Sequence, residues 1–322
     1  MGSSGVVSCE QYIGYIRRKN TNVERKTAFP FGKAISFVLL AAFCLVWMVP
    51  LVLLVAGAVR SSGDGLREPS VLFGTAHGWT WGNFQMLFGI KPADWEGDFP
   101  SMQDFKIWLW LLNSCISAIG GTLLYLLVAS LAAFAFTFLD FKFRDILFTI
   151  IIMTMVVPGT ATTVANQNTV FMSGMNQSLL ALIIPGLGGV YGMYLIRTFF
   201  SSIPKDLIES AKMDGYSNLQ IFFKIILPLG KTVLLVQGLF GFMGGWNDLI
   251  WPQMLYGVPT ENNINLWTLQ VGMAYVTHKF NTVNTIGIAC ASGIVCIFPV
   301  LLVYLLAQKY IIEGMASAGI KR

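Results

Sequence analysis

The 322-residue chain is 55% apolar and only 11% charged, against roughly 25% charged in an ordinary soluble domain, and its mean hydropathy is +0.66. So few charges cannot clothe a water-soluble globule of this size, which excludes a soluble enzyme or a nucleic-acid-binding protein; the net charge of +5 does not reverse that. The composition predicts an all-α polytopic membrane protein of about six transmembrane helices.

Residues 1–33 form a basic tail. It is not a secretory signal peptide, because the first apolar stretch begins near Ala34, is too long, and lacks a small-residue cleavage site. Six stretches, near 34–59, 107–139, 146–165, 179–200, 231–255 and 284–309, are long and apolar enough to cross a bilayer. They define a transmembrane domain over 34–309, followed by a tail at 310–322. The second stretch is overlong, so one end is expected to tilt or project. Pro158 and the threonines at 160, 162 and 163 weaken the second half of the third.

The loop at 60–106 carries Trp79, Trp81 and Trp95 with Asp94, Glu96, Asp98 and Asp104. It either folds to contact a partner or lies as an aromatic belt on lipid headgroups. Asn166, Gln167 and Asn168, with Asn176 and Gln177, read as a short link between spans three and four, either part of a gate or a solvated turn. With the N-terminus inside, sixteen of the 21 basic residues fall on the inner side. That bias places both termini in the cytoplasm and makes 60–106 an outer loop. The net charge therefore reports topology. Four of the five cysteines lie in apolar runs without CxxC spacing, and His77 and His278 are the only histidines, so no metal centre or disulfide framework is expected.

The most informative segment is the inner loop at 201–230. Pro204 opens a short helix with Asp206 and Glu209 in its first turns, where the helix dipole favours acids. Gly215 is placed to end that helix. A second helix is expected to start after Ser217 or Asn218 and to stop before Pro228. Two short helices with a sharp bend make a rigid knob for another protein to grip. Gly230-Lys231-Thr232 mimics the end of a P-loop, but its first glycine would fall at Ile225 and no strand precedes it.

Glu209-Ser210-Ala211, then Asp214-Gly215, Ile225 and Leu227-Pro228, resemble the EAA loop of importer-type ABC transporter permeases, departing only at Ser210, where alanine is usual. The stretch 185–215, the run from Gly245 through Trp246, Asn247 and Asp248 to Gln253, and the chain end from Gln308 look like the carbohydrate branch of that family, the branch of the maltose permease G subunit. The resemblance covers roughly 30–322. It implies the type I ABC importer permease fold in a bacterial inner or plasma membrane. It implies an EAA coupling helix docked on cytoplasmic ATPase subunits, two per complex, and contact of the 310–322 tail with them, although a frayed tail reads equally from the residues alone. It also implies a second permease chain completing a heterodimer, an extracytoplasmic solute-binding protein, and a sugar as cargo. No cofactor is expected on this chain, since ATP and Mg would be bound by the ATPase.

The fifth span carries Gly241, Gly244 and Gly245 about 15 Å or more from Lys231 at 1.5 Å per residue, with Asp248 beyond them. These glycines serve either close helix packing or a cavity wall, and an intramembrane carboxylate at Asp248 favours a wet or partnered site. By the resemblance, the substrate path includes Gly188 and Tyr191 before the loop and Gly241, Gly245, Trp246 and Asn247 after it. The alternative cargoes are a glycerol phosphodiester or an acidic oligosaccharide, which would favour cations along the path. An ion-coupled secondary transporter would need several intramembrane acids or a histidine relay, and a membrane enzyme would need a nucleophile–base pair; neither pattern is seen.

Overall fold

The computed structural model describes residues 30–60, 78–91, 106–257, 263–279 and 286–319. Most of the N-terminal tail, Arg67, Trp95 and the acidic run of the 60–106 loop, and the last three residues lie outside these. The chain divides into two units, Met1–Leu53 and Leu54–Arg322. The described part of the first is the start of helix α1, Pro30–Ala58, whose apolar surface over 34–50 is exposed on nearly every side. In water that would be untenable; in lipid it is the expected state of a single crossing.

The described part of the second unit is built of helices, with one isolated antiparallel bridge between Arg60 and Trp79. Its elements are α2 (Gly82–Leu87), α3 (Ile107–Phe138), α4 (Arg144–Val156), α5 (Gly159–Met172), α6 (Leu180–Gly188), α7 (Val190–Phe200), α8 (Lys205–Met213), α9 (Asn218–Leu229), α10 (Lys231–Asn247), α11 (Ile250–Tyr256), α12 (Leu269–Lys279) and α13 (Ile286–Gly319). Two expected crossings are single helices, α3 and α13, and α13 runs without a break through Pro299 and past residue 309 to Gly319. Two others are broken. Between α4 and α5 the direction changes by 103°, because Pro158 forces Val157 into the extended region (ψ 120°). Between α6 and α7 a bend of 49° falls on the Pro185–Gly189 run. α10, the fifth crossing, meets α9 at 80°.

The third crossing thus differs from expectation in two ways. It is sharply bent, and its second half continues as helix to Met172, so Asn166–Asn168 lie inside α5 and not in a link. The second crossing is overlong, as its sequence suggests, and a π-helical turn at Ile116–Gly120 interrupts it. That inserted turn rotates the faces presented before and after it.

Two buried clusters hold the second unit. In one, the start of α3 packs on α12 and on the segment before it. Trp110 Nε1 donates to Ile264 O at 3.0 Å, Asn113 Nδ2 donates to Asn265 O and Trp267 O at 2.8 and 2.9 Å, and Ser114 Oγ accepts from the Leu269 N–H at 2.7 Å. Trp110 and Trp267, both fully buried, pack with ring centres 5.7 Å apart. Asn83 closes the end of α1, its Nδ2 donating to Ala58 O and Arg60 O. The second cluster, at the far end of α3, seats the hairpin.

Candidate functional site: a helical hairpin and a cavity among the helices

The α8–α9 hairpin is built by local chemistry. Pro204 precedes the first turn of α8, and Asp214 ends it. Gly215 then adopts φ +82°, a left-handed conformation that costs a residue with a Cβ roughly 1–2 kcal/mol. The Gly215 N–H donates to Lys212 O and the Tyr216 N–H to Ala211 O, the bond pattern of a Schellman end. Ser217 starts α9 with a reciprocal capping box to Gln220. α9 does not stop before Pro228. It runs to Leu229 through a π-helical turn at Phe222–Ile226, a widening ahead of the ring that has no N–H to give.

One face of this hairpin is inside the protein. Ile208, Ala211, Ile221, Phe222 and Ile226 are buried against Ala133 and Phe134 of α3 and Ile196 and Phe200 of α7. Phe134 and Phe222 lie 5.5 Å apart. The other face is free. Glu209, Ser210 and Asp214 are exposed with Gly215 and Pro228, and so are the apolar Leu207, Met213, Leu219 and Phe223, Met213 at 89%. Ile225 and Leu227 are half-buried. Of the residues singled out in this loop, Ala211 therefore anchors the hairpin, while Glu209, Ser210 and Asp214 face outward.

A cavity of about 690 Å³ lies among α3, α5, α6, α7, α10 and α11. Small residues open it: Gly241 and Gly245 face α3, where added Cβ atoms would come within 3.3 Å of Thr122 and of the Ala118 backbone. Close packing and the cavity wall are here one arrangement. Tyr125 lies over Gly189 and Gly192; a Cβ at Gly192 would collide with its hydroxyl. That hydroxyl donates to Gln237 Oε1 at 3.2 Å. Thr160, Thr163 and Asn166 of α5 line the opposite wall, at the three-residue spacing that puts them on one helix face. Among the described residues Asp248 is the only carboxylate in the lining, and no Lys, Arg or His lines it. Its Oδ1 accepts from the Trp251 N–H at 3.2 Å and so caps α11.

Of the path residues read from sequence, Tyr191, Gly241 and Gly245 line this cavity. Trp246, Gly188 and Asn247 do not. Trp246 is buried on the opposite face of α10, its Nε1 donating to Cys296 O of α13 at 3.0 Å and its ring stacked on Phe242; a residue five along from Gly241 and one from Gly245 is rotated away from them on a helix. Gly188 and Asn247 are exposed outside the lining. Sequence reading missed Thr122, Tyr125 and Gln237, whose α3 and α10 positions look like ordinary span residues. The signal available was a tyrosine and a glutamine at mid-span with glycines opposite. Gln167 donates to Met254 O at 2.7 Å and Trp251 Nε1 to Ala181 O at 3.0 Å, tying α5, α6 and α11 together beside the cavity.

The family described as "Binding-protein-dependent transport system inner membrane component" matches residues 125–316, which include the hairpin and most of the cavity wall. This chain belongs to that family. Among its relatives, the galactooligosaccharides transport system permease protein GanQ of Bacillus subtilis is 30% identical over 293 residues, spanning 89% of this chain and 94% of the relative. The sn-glycerol-3-phosphate transport system permease protein UgpE of Pectobacterium atrosepticum is 26% identical, over 88% of this chain and 95% of its own length. The arabinooligosaccharides transport system permease protein AraQ of Bacillus subtilis is 24% identical, over 86% and 92%. A solved chain from a bacterial ABC transporter involved in import of the acidic polysaccharide alginate superposes with a TM-score of 0.68 at 21% identity, covering 95% of this chain and 99% of that one. The fold is that of the type I ABC importer permeases. The permease is thus a membrane-spanning, inner-membrane component of a binding-protein-dependent transport system.

Proposed function

We propose that this permease forms one half of the translocation path of an ATP-driven importer for a neutral sugar or oligosaccharide. A second permease chain supplies the other half, two separate cytoplasmic ATPase subunits bind ATP and Mg and hydrolyse the nucleotide, and an extracytoplasmic binding protein delivers cargo. Both termini and the 201–230 loop lie on the cytoplasmic side of a bacterial membrane. The observation that carries the cargo assignment is the cavity wall. Hydroxyl and amide groups at Tyr125, Thr160, Thr163, Asn166 and Gln237 suit sugar hydroxyls, and Tyr191 and Trp251 offer aromatic faces to sugar CH groups. Asp248, the one charged side chain in the lining among the described residues, disfavours an anion. Relatives named for galacto- and arabinooligosaccharides agree with this reading.

The coupling assignment rests on the hairpin. One of its faces is anchored in the core and the other presents Leu207, Met213, Leu219 and Phe223 beside Glu209 and Asp214, the apolar-plus-acidic surface of a docking knob. Closure of the ATPase pair would move the hairpin as a body and, through its shared core with α3 and α7, tilt the helices that wall the cavity.

An anionic cargo is the second reading, favoured by the relative named for sn-glycerol-3-phosphate and the neighbour involved in alginate import. The experiment that separates the two is stimulation of ATP hydrolysis in the assembled complex, with its binding protein, by a panel of neutral oligosaccharides, glycerol 3-phosphate and uronate oligomers. Stimulation confined to neutral sugars is expected. Stimulation by the anions alone would overturn the neutral-cargo assignment.

A further inference from the structure

Where α3 ends, α4 begins and α7 passes into the hairpin, the fold encloses a second, smaller pocket of about 190 Å³. Three cations share its wall, Arg144, Arg197 and Lys205, with the hydroxyls of Thr137 and Ser201 beside them. Arg144 is matched by carboxylates, Asp140 Oδ1 at 3.0 Å and Asp145 Oδ1 at 3.2 Å, and its Nη1 donates to Leu139 O at the end of α3. Arg197 is different. Its guanidinium lies 3.9 Å over the Phe148 ring, and its Nε is buried without an acceptor among the described residues. Among those residues no ion pair involves Arg197 or Lys205; Asp206 is the acid next to Lys205 in sequence.

Two cations without carboxylate partners on one small pocket wall repel each other and favour a counter-charge between them. The carbonyl end of α7 offsets part of the charge of Arg197, whereas Lys205 stands at the start of α8, where the helix dipole opposes a cation. The hydroxyls of Thr137 and Ser201 already donate to Ala133 O and Arg197 O, so a tetrahedral oxyanion would be held by the charges of Arg197 and Lys205, and arginine's planar fork suits phosphate geometry. The pocket sits at the ends of apolar crossings, at the depth where lipid headgroups lie. We infer that this pocket binds a phosphate group, either the phosphodiester of an anionic lipid headgroup or inorganic phosphate. Its wall joins the last turn of α7 to the first of α8, so the bound group braces the hairpin against the membrane helices. This inference does not depend on the cargo of the larger cavity.

The test uses the purified complex containing the full chain, in nanodiscs of phosphatidylcholine alone or of phosphatidylcholine and phosphatidylglycerol in equal parts. Phospholipid retained after detergent extraction is identified by mass spectrometry, and the melting temperature is measured with and without inorganic phosphate. Retention of phosphatidylglycerol by the wild type, weakened about tenfold in Arg197→Gln and in Lys205→Gln as one charge-assisted contact is lost, is the expected result, with recovery in Arg197→Lys. Stabilisation by inorganic phosphate without retained lipid, lost in the same variants, assigns the site to soluble phosphate. Lys205 is exposed, so Lys205→Gln remains informative if Arg197→Gln fails to fold. Equal lipid retention and equal phosphate response in wild type and Lys205→Gln would overturn the inference.

Discussion

Tyr125 is the residue on which the cavity's shape most depends. Its ring fills the groove over Gly189 and Gly192, and its hydroxyl donates to Gln237. Gly192→Ala should displace it: overpacking of this kind costs about 1–3 kcal/mol, to be read as a lowered melting temperature together with reduced uptake. Tyr125→Phe keeps the ring but removes the hydrogen bond to the buried Gln237, at a cost of about 1 kcal/mol, so it should lower the melting temperature modestly while altering the apparent affinity for cargo. Asp248 does two jobs that substitutions separate. Asp248→Asn keeps an oxygen acceptor for the Trp251 N–H and should retain the wild-type melting point, whereas Asp248→Ala loses a cap worth about 1 kcal/mol. If Asp248 also excludes anions, Asn at that position should raise uptake of anionic sugars relative to neutral ones; an unchanged ratio would remove Asp248 from selectivity. Gly241 and Gly245 were legible as a small-residue stripe, but Trp246 was not placed by its neighbours in sequence. A helix rotates consecutive residues by about 100°, so adjacency in the chain says little about which share a wall.

At the scale of elements, the hairpin shows why some local structure reads directly from sequence. Pro204, Gly215 and Ser217 each act on the backbone within a few residues, so their effects need no knowledge of the fold. The π-helical turns at 116–120 and 222–226 leave no comparable signature, because they are adjustments to packing and, in α9, to Pro228. The 103° break after α4 was visible only as a weakness at Pro158, since the direction of a bend is set by what each half packs against. Gly215→Val should strain the left-handed position by roughly 1–2 kcal/mol and misdirect α9, and Glu209→Lys should reverse charge on the exposed face without touching the core. Both variants should insert in the membrane and fail to copurify with the ATPase. Undiminished copurification of Glu209→Lys together with full uptake would contradict the docking role of this face.

For the molecule as a whole, the scarcity of charge announced a membrane protein, and the crossings followed from length and hydropathy. α3 and α13 lie where the sequence put spans two and six, while α10 fills only the first part of span five and stops at Asn247, where Asp248 turns the backbone extended. The cavity was only partly legible, because it is assembled from six helices whose residues lie far apart in the chain; Thr122, Gln237 and Thr160 meet there through tertiary packing alone. The same assembly ties mechanism to fold, since α3 and α7 contribute both to the cavity wall and to the seat of the hairpin. A force on the hairpin is therefore a force on the wall. The most direct measurement is accumulation of a labelled neutral oligosaccharide in proteoliposomes holding the complete complex, with binding protein on one side, ATP on the other, and ionophores to collapse ion gradients. Accumulation that requires ATP, persists with ionophores and is lost in Gly215→Val is the predicted result. Accumulation that ignores ATP and collapses with the gradients would contradict an ATP-driven permease coupled through this hairpin.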